Sequence, residues 1–200
     1  MDGDAQVRRL VEEAQRGESA AFQALYEHFS PRIYSFLFRL LGSRDEADDV
    51  AQQTFLIALR QLSTLRDAGQ VESWIYRIAR NEVYLKFRRK RAVSLDDDEA
   101  GIEVSRLEES RLHANPEKLL LNSELGSVIQ QVLDGLPAKL KEVFILAVIQ
   151  GMSYQDVTGI VGRSLLSVKT DIYRARLLVK EELRKYLSEE ARTGAVTGEE

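Results

Sequence analysis

The sequence predicts an all-α protein made of two small helical domains joined by an acidic linker. Apolar residues recur at helical spacing along most of the 200 residues, and no segment shows a persuasive strand period. Because 44% of the residues are apolar, the chain can bury one ordinary core or two small ones. The predicted boundaries are 1–91 for the first domain, 92–118 for the linker, 119–187 for the second domain and 188–200 for a disordered tail.

The first domain begins with two helical stripes separated by a break at Gly17. The apolar positions of these stripes are Val7, Leu10, Val11, Ala14, Phe22, Leu25, Tyr26 and Phe29. Pro31 is suited to the first turn of a helix, so we predict that a third helix begins there. Gly42 is predicted to end that helix, because glycine favours the left-handed backbone at a helix C-terminus.

Two further helices complete the first domain. Ser43 is predicted to open one of them, with Asp45 and Glu46 in its first turn, where acids complement the helix dipole. Its predicted inward residues are Ala47, Val50, Ala51, Ala58, Leu59 and Leu62. The polar segment 67–73 reads as a loop. The last helix is predicted to start at Trp74, with an apolar set of Trp74, Ile75, Ile78, Val83 and Phe87.

Charge is spread unevenly along the chain. The net charge of −4 and the pI of about 5.4 argue against a simple duplex-binding protein, which normally needs a basic footprint. Two basic sets nevertheless occur, at residues 86–91 and 163–185, and an acid-rich segment at 96–109 separates them. This arrangement indicates more than one kind of partner, while a solvated surface of mixed charge explains it equally well.

The second domain is predicted to contain a helix-turn-helix. Ser153 can cap a short helix, Gly162 ends it, and Ser164 can cap a longer one. Lys169, Thr170, Tyr173 and Arg174 fall away from the apolar stripe of this last helix. Such a face can offer hydrogen-bond donors to base edges and phosphates. An ordinary helical hairpin with a solvated face fits the pattern about as well.

Several kinds of chemistry are disfavoured by composition. The chain has no cysteine and only two histidines, His28 and His113, far apart in the sequence. We find no nucleophile–base spacing and no phosphate-binding glycine loop, so we expect no enzyme activity, cofactor or metal site. The triplet Asp96–Asp98 resembles an acidic metal motif, but it lies on a linker without rigid support. We expect a cytoplasmic protein without membrane insertion, since the acidic N-terminus is unlike a signal peptide and the apolar runs are short.

Short motifs in both halves resemble a known family. The second half carries Gly135-Leu136-Pro137, Glu142-Val143-Phe144, Gly151-Met152-Ser153-Tyr154, Val168-Lys169-Thr170 and Tyr173-Arg174-Ala175-Arg176. These motifs look like the fourth region of extracytoplasmic-function (ECF) sigma factors of bacterial RNA polymerase. The first half carries DEADDVAQQTF at 45–55 and WIYRIARN at 74–81, which resemble the second region of the same family. The resemblance is specific because the motifs of both halves occur together and in the order that the family has.

The resemblance implies a function in transcription initiation. Such a protein brings core RNA polymerase to a promoter and helps to open it. Its partners would be core polymerase, through the β′ coiled coil and the β flap, together with promoter DNA and an anti-sigma factor. The acidic linker would thread a basic polymerase channel, where a negatively charged chain suits a surface that attracts phosphates.

The resemblance also implies site residues. The candidates for docking on the β′ coiled coil are Asp45, Asp48, Asp49, Gln52 and Gln53. The candidates for the −10 element are Trp74, Arg77, Arg80, Asn81, Lys86 and Arg88, together with the loop 67–73. Trp74 is also a candidate core residue, which is the commoner place for a large aromatic. The candidates for the −35 element are Arg163, Ser167, Lys169, Thr170, Tyr173, Arg174 and Arg176.

The sequence departs from the family pattern at three places. The turn before the last helix reads Leu165-Leu166-Ser167 where Pro-x-Gly-Thr is common, and Val71-Glu72-Ser73 precedes Trp74 in place of an aromatic-plus-arginine type. Position 171 is Asp171 where the family often has a basic residue. Asp171 would either repel a phosphate or accept from a cytosine amino group.

A plain helix-turn-helix regulator is the main alternative. It would account for 119–187 but would leave 20–91 as an unassigned ligand-binding or dimerisation domain. Binding to core polymerase separates the two hypotheses. An enzyme is a weaker alternative, for which detectable nucleotide hydrolysis by the pure protein would be the supporting observation.

Overall fold

The computed structural model describes residues 2–96 and 124–196 of the chain. In these ranges the backbone is helical apart from short turns, and no strand occurs, which confirms the all-α prediction. Domain 1 contains α1 (Asp2–Gln15), α2 (Ser19–Leu41), α3 (Arg44–Gln61) and α4 (Val71–Asp96). Domain 2 contains α5 (Glu124–Asp134), α6 (Ala138–Phe144), α7 (Tyr154–Val161) and α8 (Leu165–Val196).

Helix α2 corrects the prediction that a helix begins at Pro31. Residues Ser19–Leu41 form one continuous helix with Pro31 inside it. Proline removes one amide donor from the helix interior. The helix continues because its apolar residues on both sides of Pro31, such as Leu25 and Ile33, are buried in one core. Tertiary packing therefore outweighs the local preference of proline.

The break between α2 and α3 forms as predicted. Gly42 takes a left-handed backbone with φ of 74°, and its amide donates to the carbonyl of Phe38 at 2.8 Å. The hydroxyl of Ser43 accepts a hydrogen bond from the amide of Glu46 at 3.4 Å. A left-handed glycine followed by a serine cap is a common way to end one helix and start the next.

Two residues predicted to face inward are exposed. Leu59 on α3 is 53% exposed, whereas Ala47, Val50 and Ala58 are buried. Leu59 lies about 100° around the helix from Ala58, which puts it beyond the buried stripe. Phe87 on α4 is 49% exposed. The predicted apolar stripes were therefore too wide at these two positions.

The predicted loop 67–73 is shorter in the structure. A 3₁₀ turn spans Ala68–Gln70, and the carboxylate of Asp67 caps it by accepting from the amide of Gly69 at 2.9 Å. Helix α4 then begins at Val71, three residues before the predicted start at Trp74. The Asp67 cap and the turn that follows it lead directly into the helix, so less of the segment is irregular.

Domain 2 contains a π-helical turn at Ile145–Ile149, directly after α6. It ends where Gly151 adopts φ of 70°, and α7 and α8 follow as the predicted helix-turn-helix. Helix α8 continues to Val196, so the backbone remains helical beyond residue 188, where the sequence predicts a disordered tail. Likewise α4 continues to Asp96 within the predicted linker, and 97–118 lie outside the described residues.

The two domains pack against each other. One cluster of buried apolar side chains runs through both, and α4 lies against α7. The π-helical turn brings Gln150 to this contact, where Arg32 donates to its carbonyl at 3.0 Å and the Tyr76 hydroxyl donates to its side-chain oxygen at 2.8 Å. At the other end, Gln130 donates to the carbonyl of Arg39 at 3.2 Å. Polar and apolar contacts together hold the domains in one arrangement.

Candidate nucleic-acid interface

Helix α3 presents a polar face with exposed acids and amides. Asp45, Asp49, Gln52 and Gln53 are exposed, whereas Asp48 is half-buried. Asp48 lies near Tyr34, whose pKa is raised by burial and, to a smaller extent, by this carboxylate. Leu56 and Leu59 extend the exposed surface along the C-terminal half of α3. The face can therefore offer acceptors and a small apolar area to a partner.

Helix α4 places the candidate −10 residues in different environments. Arg77, Asn81 and Arg88 are exposed. Trp74 is only 8% exposed and belongs to the buried cluster, and it also lines the cavity beside the start of α4, so both of its predicted roles stay open. Lys86 is half-buried and points its ammonium toward α3, 3.8 Å from Glu46 and 3.7 Å from Asp49.

A cavity of about 400 Å³ lies beside the start of α4. Arg66 and Asp67 line it from the turn before α4, and Arg77 lines it from the helix. Gly159 of α7 contributes to the wall from domain 2. The cavity therefore lies where the two domains meet, and its walls combine two cations with hydrogen-bonding groups.

The helix-turn-helix has the predicted caps. The Ser153 hydroxyl accepts from the amide of Asp156 at 3.1 Å, and the Ser164 hydroxyl accepts from the amide of Ser167 at 3.3 Å. Between the helices, Gly162 takes φ of 67° and donates to Thr158 at 2.9 Å. Ser167 is half-buried in the first turn of α8.

The apolar side of α8 is buried and its polar side is open. Lys169 and Arg174 are exposed, and Tyr173 is 64% exposed. Thr170 is half-buried, and its hydroxyl donates to the carbonyl of Leu166 at 2.9 Å, within its own helix. The structure thus presents Lys169, Tyr173 and Arg174 together on the N-terminal half of α8.

Asp171 has a partner within the protein. Its carboxylate accepts from Arg163 with a separation of 2.6 Å, and both side chains are mostly buried. This ion pair gives Asp171 a partner within the protein, and its two predicted relations to DNA stay predictions. Arg163 is correspondingly held at the turn and does not project from it.

Arg176 lies two turns after Lys169, at an apolar groove of about 510 Å³. Phe144 and Val148 line the groove on one side, and residues of α8 line the other. The α8 residues are Arg176, Val179, Lys180, Leu183 and Arg184. The groove has an apolar floor and cations at its edge, which suits an amphipathic segment with acidic residues.

Glu142 joins the two sets of candidate DNA contacts, although sequence reasoning placed it only in a family motif and gave it no role in a site. It is 1% exposed, and its carboxylate accepts from Arg80 of domain 1 at 2.6 Å. Arg163 approaches the second carboxylate oxygen at 3.5 Å, and the Tyr84 hydroxyl donates to it at 3.4 Å. Burial, followed by the nearby carboxylate of Glu142, raises the pKa of Tyr84. One buried acid thus binds a candidate −10 arginine closely and shares a candidate −35 arginine with Asp171.

Neither a metal-ligating cluster nor a membrane-spanning helix occurs in the described parts of the chain. In residues 2–96 and 124–196 no group of three or more histidines and acids could hold a metal ion. Asp97 and Asp98 of the acidic triplet lie outside those residues. Across the same ranges, no helix is both long and apolar enough to cross a membrane.

Two family models match the chain. The model of Sigma-70 region 2 matches residues 25–93, and the model of Sigma-70, region 4 matches residues 127–179. The first match contains all of α3 and α4 up to residue 93. The second contains the π-helical turn, the helix-turn-helix and Glu142.

Curated relatives match over nearly their whole length. The ECF RNA polymerase sigma-E factor of Salmonella typhimurium is 32% identical over 172 residues, which is 84% of this chain and 88% of that protein. The ECF RNA polymerase sigma factor SigW of Bacillus subtilis is 29% identical over 182 residues, which is 89% of this chain and 97% of that protein.

Two solved structures share the fold. RpoE of Bartonella quintana, solved with the anti-sigma factor NepR, gives a TM-score of 0.66 at 24% identity, over 82% of this chain and 96% of that chain. CnrH, solved with the cytosolic domain of CnrY, gives 0.63 at 23% identity, over 90% of this chain and 98% of that chain. At these identities the likeness concerns the fold.

Proposed function

This chain belongs to the ECF sigma factors of bacterial RNA polymerase, and we propose how its surfaces divide the recognition of a promoter. As a sigma factor it directs core polymerase to promoters and assists their opening. The work is recognition and strand separation, and sigma factors are initiation factors, not catalytic enzymes. Because the chromosome and core polymerase lie in the cytoplasm, we place the activity there.

We assign the −10 element to α4. The supporting observation is the position of Arg77, which lines the 400 Å³ cavity and is exposed on the same helix face as Asn81, one turn further on. A cavity with a cation and hydrogen-bonding groups can hold an unstacked base and its phosphate. Arg80 joins this site once Glu142 releases it, and Arg88 continues the basic surface.

We assign the −35 element to the N-terminal half of α8. Lys169, Tyr173 and Arg174 are exposed there, and the buried stripe behind them fixes the helix on α7. A helix presented in this way fits the major groove. Arg163 and Thr170 have partners within the protein and support the shape of the turn and helix.

We assign core polymerase docking to α3 and to the groove of domain 2. The exposed Asp45, Asp49, Gln52 and Gln53 suit the β′ coiled coil, and the half-buried Asp48 contributes from the edge. The apolar groove beside Arg176 suits the β flap, because it can receive apolar side chains from a helix. The likeness to RpoE bound to NepR supports an anti-sigma factor as a further partner.

A plain duplex-binding regulator accounts less well for the molecule. Such a protein needs only domain 2, whereas the match to region 2 includes α3 and most of α4. The enzyme alternative gains no support from a described side-chain cluster. The sigma-factor assignment accounts for both domains.

The −10 assignment is tested with Asn81→Ala in reconstituted holoenzyme. We expect this variant to reduce open-complex formation on duplex promoters selected from a library. On a template already mismatched across the −10 region, part of the defect should be rescued, because the cost of unpairing is removed. Run-off transcription and permanganate reactivity measure the two effects.

Glu82→Gln is the control on the same helix, since Glu82 takes no part in the proposed site. Its open-complex formation should match the wild type. If Asn81→Ala has no defect on either template, the −10 assignment is wrong. If the defect is equal on both, Asn81 reads a base but takes no part in opening.

A further inference from the structure

Leu166, in the first turn of α8, is a large apolar side chain that lies in solvent. It is 77% exposed and is neither in the buried cluster nor among the apolar side chains packed against it. Single exposed leucines are common on protein surfaces, so exposure alone assigns no role. The position of Leu166 is more informative, because the N-terminal residues of the second helix of a helix-turn-helix are the ones that reach base edges.

Leu166 is directed away from the protein core. An α-helix turns by about 100° per residue, so Leu166 and Ala175 lie on opposite sides of α8. Ala175 and Val168 are both fully buried, and the side of Leu166 is therefore the front of the helix. Tyr173 lies on this front about two turns further along and is also exposed. When this front enters a major groove, Leu166 faces the floor, where the base edges lie.

The surroundings of Leu166 fit a duplex. Lys169 lies on one side of the front and Arg174 on the other, and both are exposed. Thr170 lies between them, and its hydroxyl donates to the carbonyl of Leu166 at 2.9 Å. The front of α8 thus has an apolar centre with cations at both edges. A major groove has a matching pattern, because base edges form its floor and phosphates follow both of its walls.

The turn that carries Leu166 is held by the helix cap. The Ser164 hydroxyl accepts from the amide of Ser167 at 3.3 Å, and the Ser164 carbonyl accepts from the amide of Val168 at 3.0 Å. Because this backbone is already ordered, little conformational entropy is lost when Leu166 packs against a partner. The same turn departs from the common Pro-x-Gly-Thr pattern, so a contact made by Leu166 is a feature of this chain and not of the family pattern.

Only one base offers an apolar group in the major groove. Guanine, cytosine and adenine present hydrogen-bond donors and acceptors there, whereas thymine adds its C5 methyl group. A leucine over polar base edges removes water from them without replacing the lost hydrogen bonds, which is unfavourable. A leucine over the methyl group buries two apolar surfaces instead. The chemistry of Leu166 therefore matches thymine.

We propose that Leu166 packs against the C5 methyl group of a thymine in the −35 element and so selects this base. This inference rests on the proposed −35 function of α8 and adds one residue and one base to it. The contact supplies preference at one base pair and little of the total affinity, which charge dominates.

The test measures binding of holoenzyme to a −35 element that the wild type selects from a randomised library. Each thymine of the selected element is replaced in turn by uracil, which lacks the C5 methyl group but keeps the groups that pair and hydrogen-bond. At one position uracil should weaken wild-type binding by about fourfold, the value for one buried methyl-sized group. Leu166→Ala should bind the thymine and uracil elements equally at that position, because the side chain that meets the methyl group is gone.

Two further variants show that the loss belongs to an apolar side chain at this position. Leu166→Met keeps an apolar side chain of similar volume, so it should retain the loss on uracil. Leu177→Ala is the matched control, since Leu177 is exposed on the same front of α8, about three turns beyond Leu166. It should also retain the loss. Uracil at the other thymines should affect all of these proteins alike.

Three results would overturn the thymine contact. These are a selected element without a preference for thymine at any position, equal wild-type binding of thymine and uracil throughout, and a full loss on uracil that persists in Leu166→Ala. If Leu166→Ala is weaker on both bases alike, Leu166 supports the helix. If it assembles poorly with core polymerase, Leu166 contacts a protein. Either result also rejects the proposal.

The double variant Lys169→Ala, Arg174→Ala on the same elements shows how far a failure extends. If the double variant is defective and the uracil loss does not depend on Leu166, the thymine contact alone is wrong. If neither the double variant nor Leu166→Ala differs from the wild type, the proposed −35 function of α8 is wrong as well.

Discussion

Helices α4 and α8 carry the two sets of candidate DNA contacts, and they differ in how accessible those contacts are. On α8, Lys169, Tyr173 and Arg174 are exposed. On α4, Arg80 is bound to Glu142 of domain 2, and Gly159 of α7 forms part of the cavity wall. The surface proposed for the upstream duplex is open, whereas the surface proposed for single strands is partly covered by domain 2.

This difference predicts the order in which the two surfaces bind DNA. A major groove can reach α8 while the domains remain together. A single strand on α4 meets Gly159 of α7 at the cavity wall, and it can reach Arg80 only when that side chain leaves Glu142. Several contacts across the boundary are hydrogen bonds between polar groups, which water can replace when the domains separate. We therefore expect domain separation to precede strand capture.

The largest expected effect comes from fixing the domains in place. The chain has no cysteine, so Arg32→Cys and Gln150→Cys provide unique attachment points for a short, reducible crosslinker. Arg32 contacts the carbonyl of Gln150 at 3.0 Å, so the two positions are close. The crosslinked protein should lose more than about tenfold in open-complex formation, because the competent state becomes rarely populated. Permanganate reactivity of the −10 region measures the loss.

Binding of an upstream duplex should survive the same crosslink. Reduction of the crosslink should restore opening, and each single-cysteine variant should behave as the uncrosslinked protein. If the crosslinked protein opens promoters normally, domain 2 does not limit access to α4. The comparison between the helices would then lose its functional meaning.

The next effect concerns stability and distinguishes bound arginines from exposed ones. Glu142→Gln removes the carboxylate that pairs with Arg80 and that Arg163 also approaches. Loss of one partner from a buried, hydrogen-bonded charge pair costs about 2 to 5 kcal/mol. We expect the free energy of unfolding in urea to fall within that range. Glu182→Gln, which affects an exposed pair with Lys185, should change it by less than about 1 kcal/mol.

An unchanged urea midpoint in Glu142→Gln would contradict the role given to this acid. Arg77→Ala and Lys169→Ala should leave stability near the wild type, since both side chains are exposed. Together the three variants distinguish the cations that hold the two domains together from the cations that remain available for DNA.

The cluster around Glu142 also shows where sequence reasoning reached its limit. Caps and turns could be predicted because they are local, as at Ser43, Ser153 and Ser164. The two-domain organisation could be predicted from the helical period of the apolar residues and from the order of the family motifs. Glu142 is brought to Arg80 by the packing of α4 against domain 2, across 62 residues of sequence. No local pattern reports such a contact.

The sequence also could not predict whether each single residue at the edge of an apolar stripe is buried or exposed. An aromatic or leucine at the edge of a stripe has the same pattern whether it is packed or exposed, as Leu59 and Phe87 show. Trp74 was open to two interpretations, and the structure buries most of its side chain while leaving it in the wall of the cavity beside α4. Sequence reasoning offered two possible relations of Asp171 to DNA and did not show its ion pair with Arg163, which lies eight residues earlier in the turn before α8. In each case the neighbour that decides the role comes from packing.

A smaller effect is expected on the open side of the comparison, at α8. Lys169 and Arg174 can each meet a phosphate or a guanine edge. Loss of a phosphate contact should weaken binding to all upstream sequences alike and lower the salt slope by roughly one unit. Loss of a base contact should cost about 1 to 3 kcal/mol and relax preference at one position. Holoenzyme binding to a randomised upstream element at two salt concentrations distinguishes the two.

The double variant Lys169→Ala, Arg174→Ala decides whether α8 is the reader. If affinity and base preference both stay unchanged, another surface binds the upstream element. Asp171→Asn adds a check on the ion pair with Arg163. It should loosen the turn and reduce stability, whereas a carboxylate that reads cytosine would instead change preference at one base pair.

The smallest expected effect is at α3, where a surface contact with core polymerase is proposed. Asp49 is exposed, and Asp49→Lys reverses its charge without removing a buried group. Contacts at the rim of an interface change association rates and salt dependence more than affinity. We therefore expect association with core to be a fewfold weaker at low salt, and we expect this difference from the wild type to diminish as salt rises. Fluorescence titration measures it.

The contact between Asp49 and Lys86 requires a control, because Lys86 lies near both Asp49 and Glu46. Glu46→Gln is the matched control, since it removes the other partner of Lys86 and leaves the exposed acid in place. If Glu46→Gln weakens core binding as much as Asp49→Lys does, the effect arises from the α3–α4 contact and the docking assignment of Asp49 is wrong.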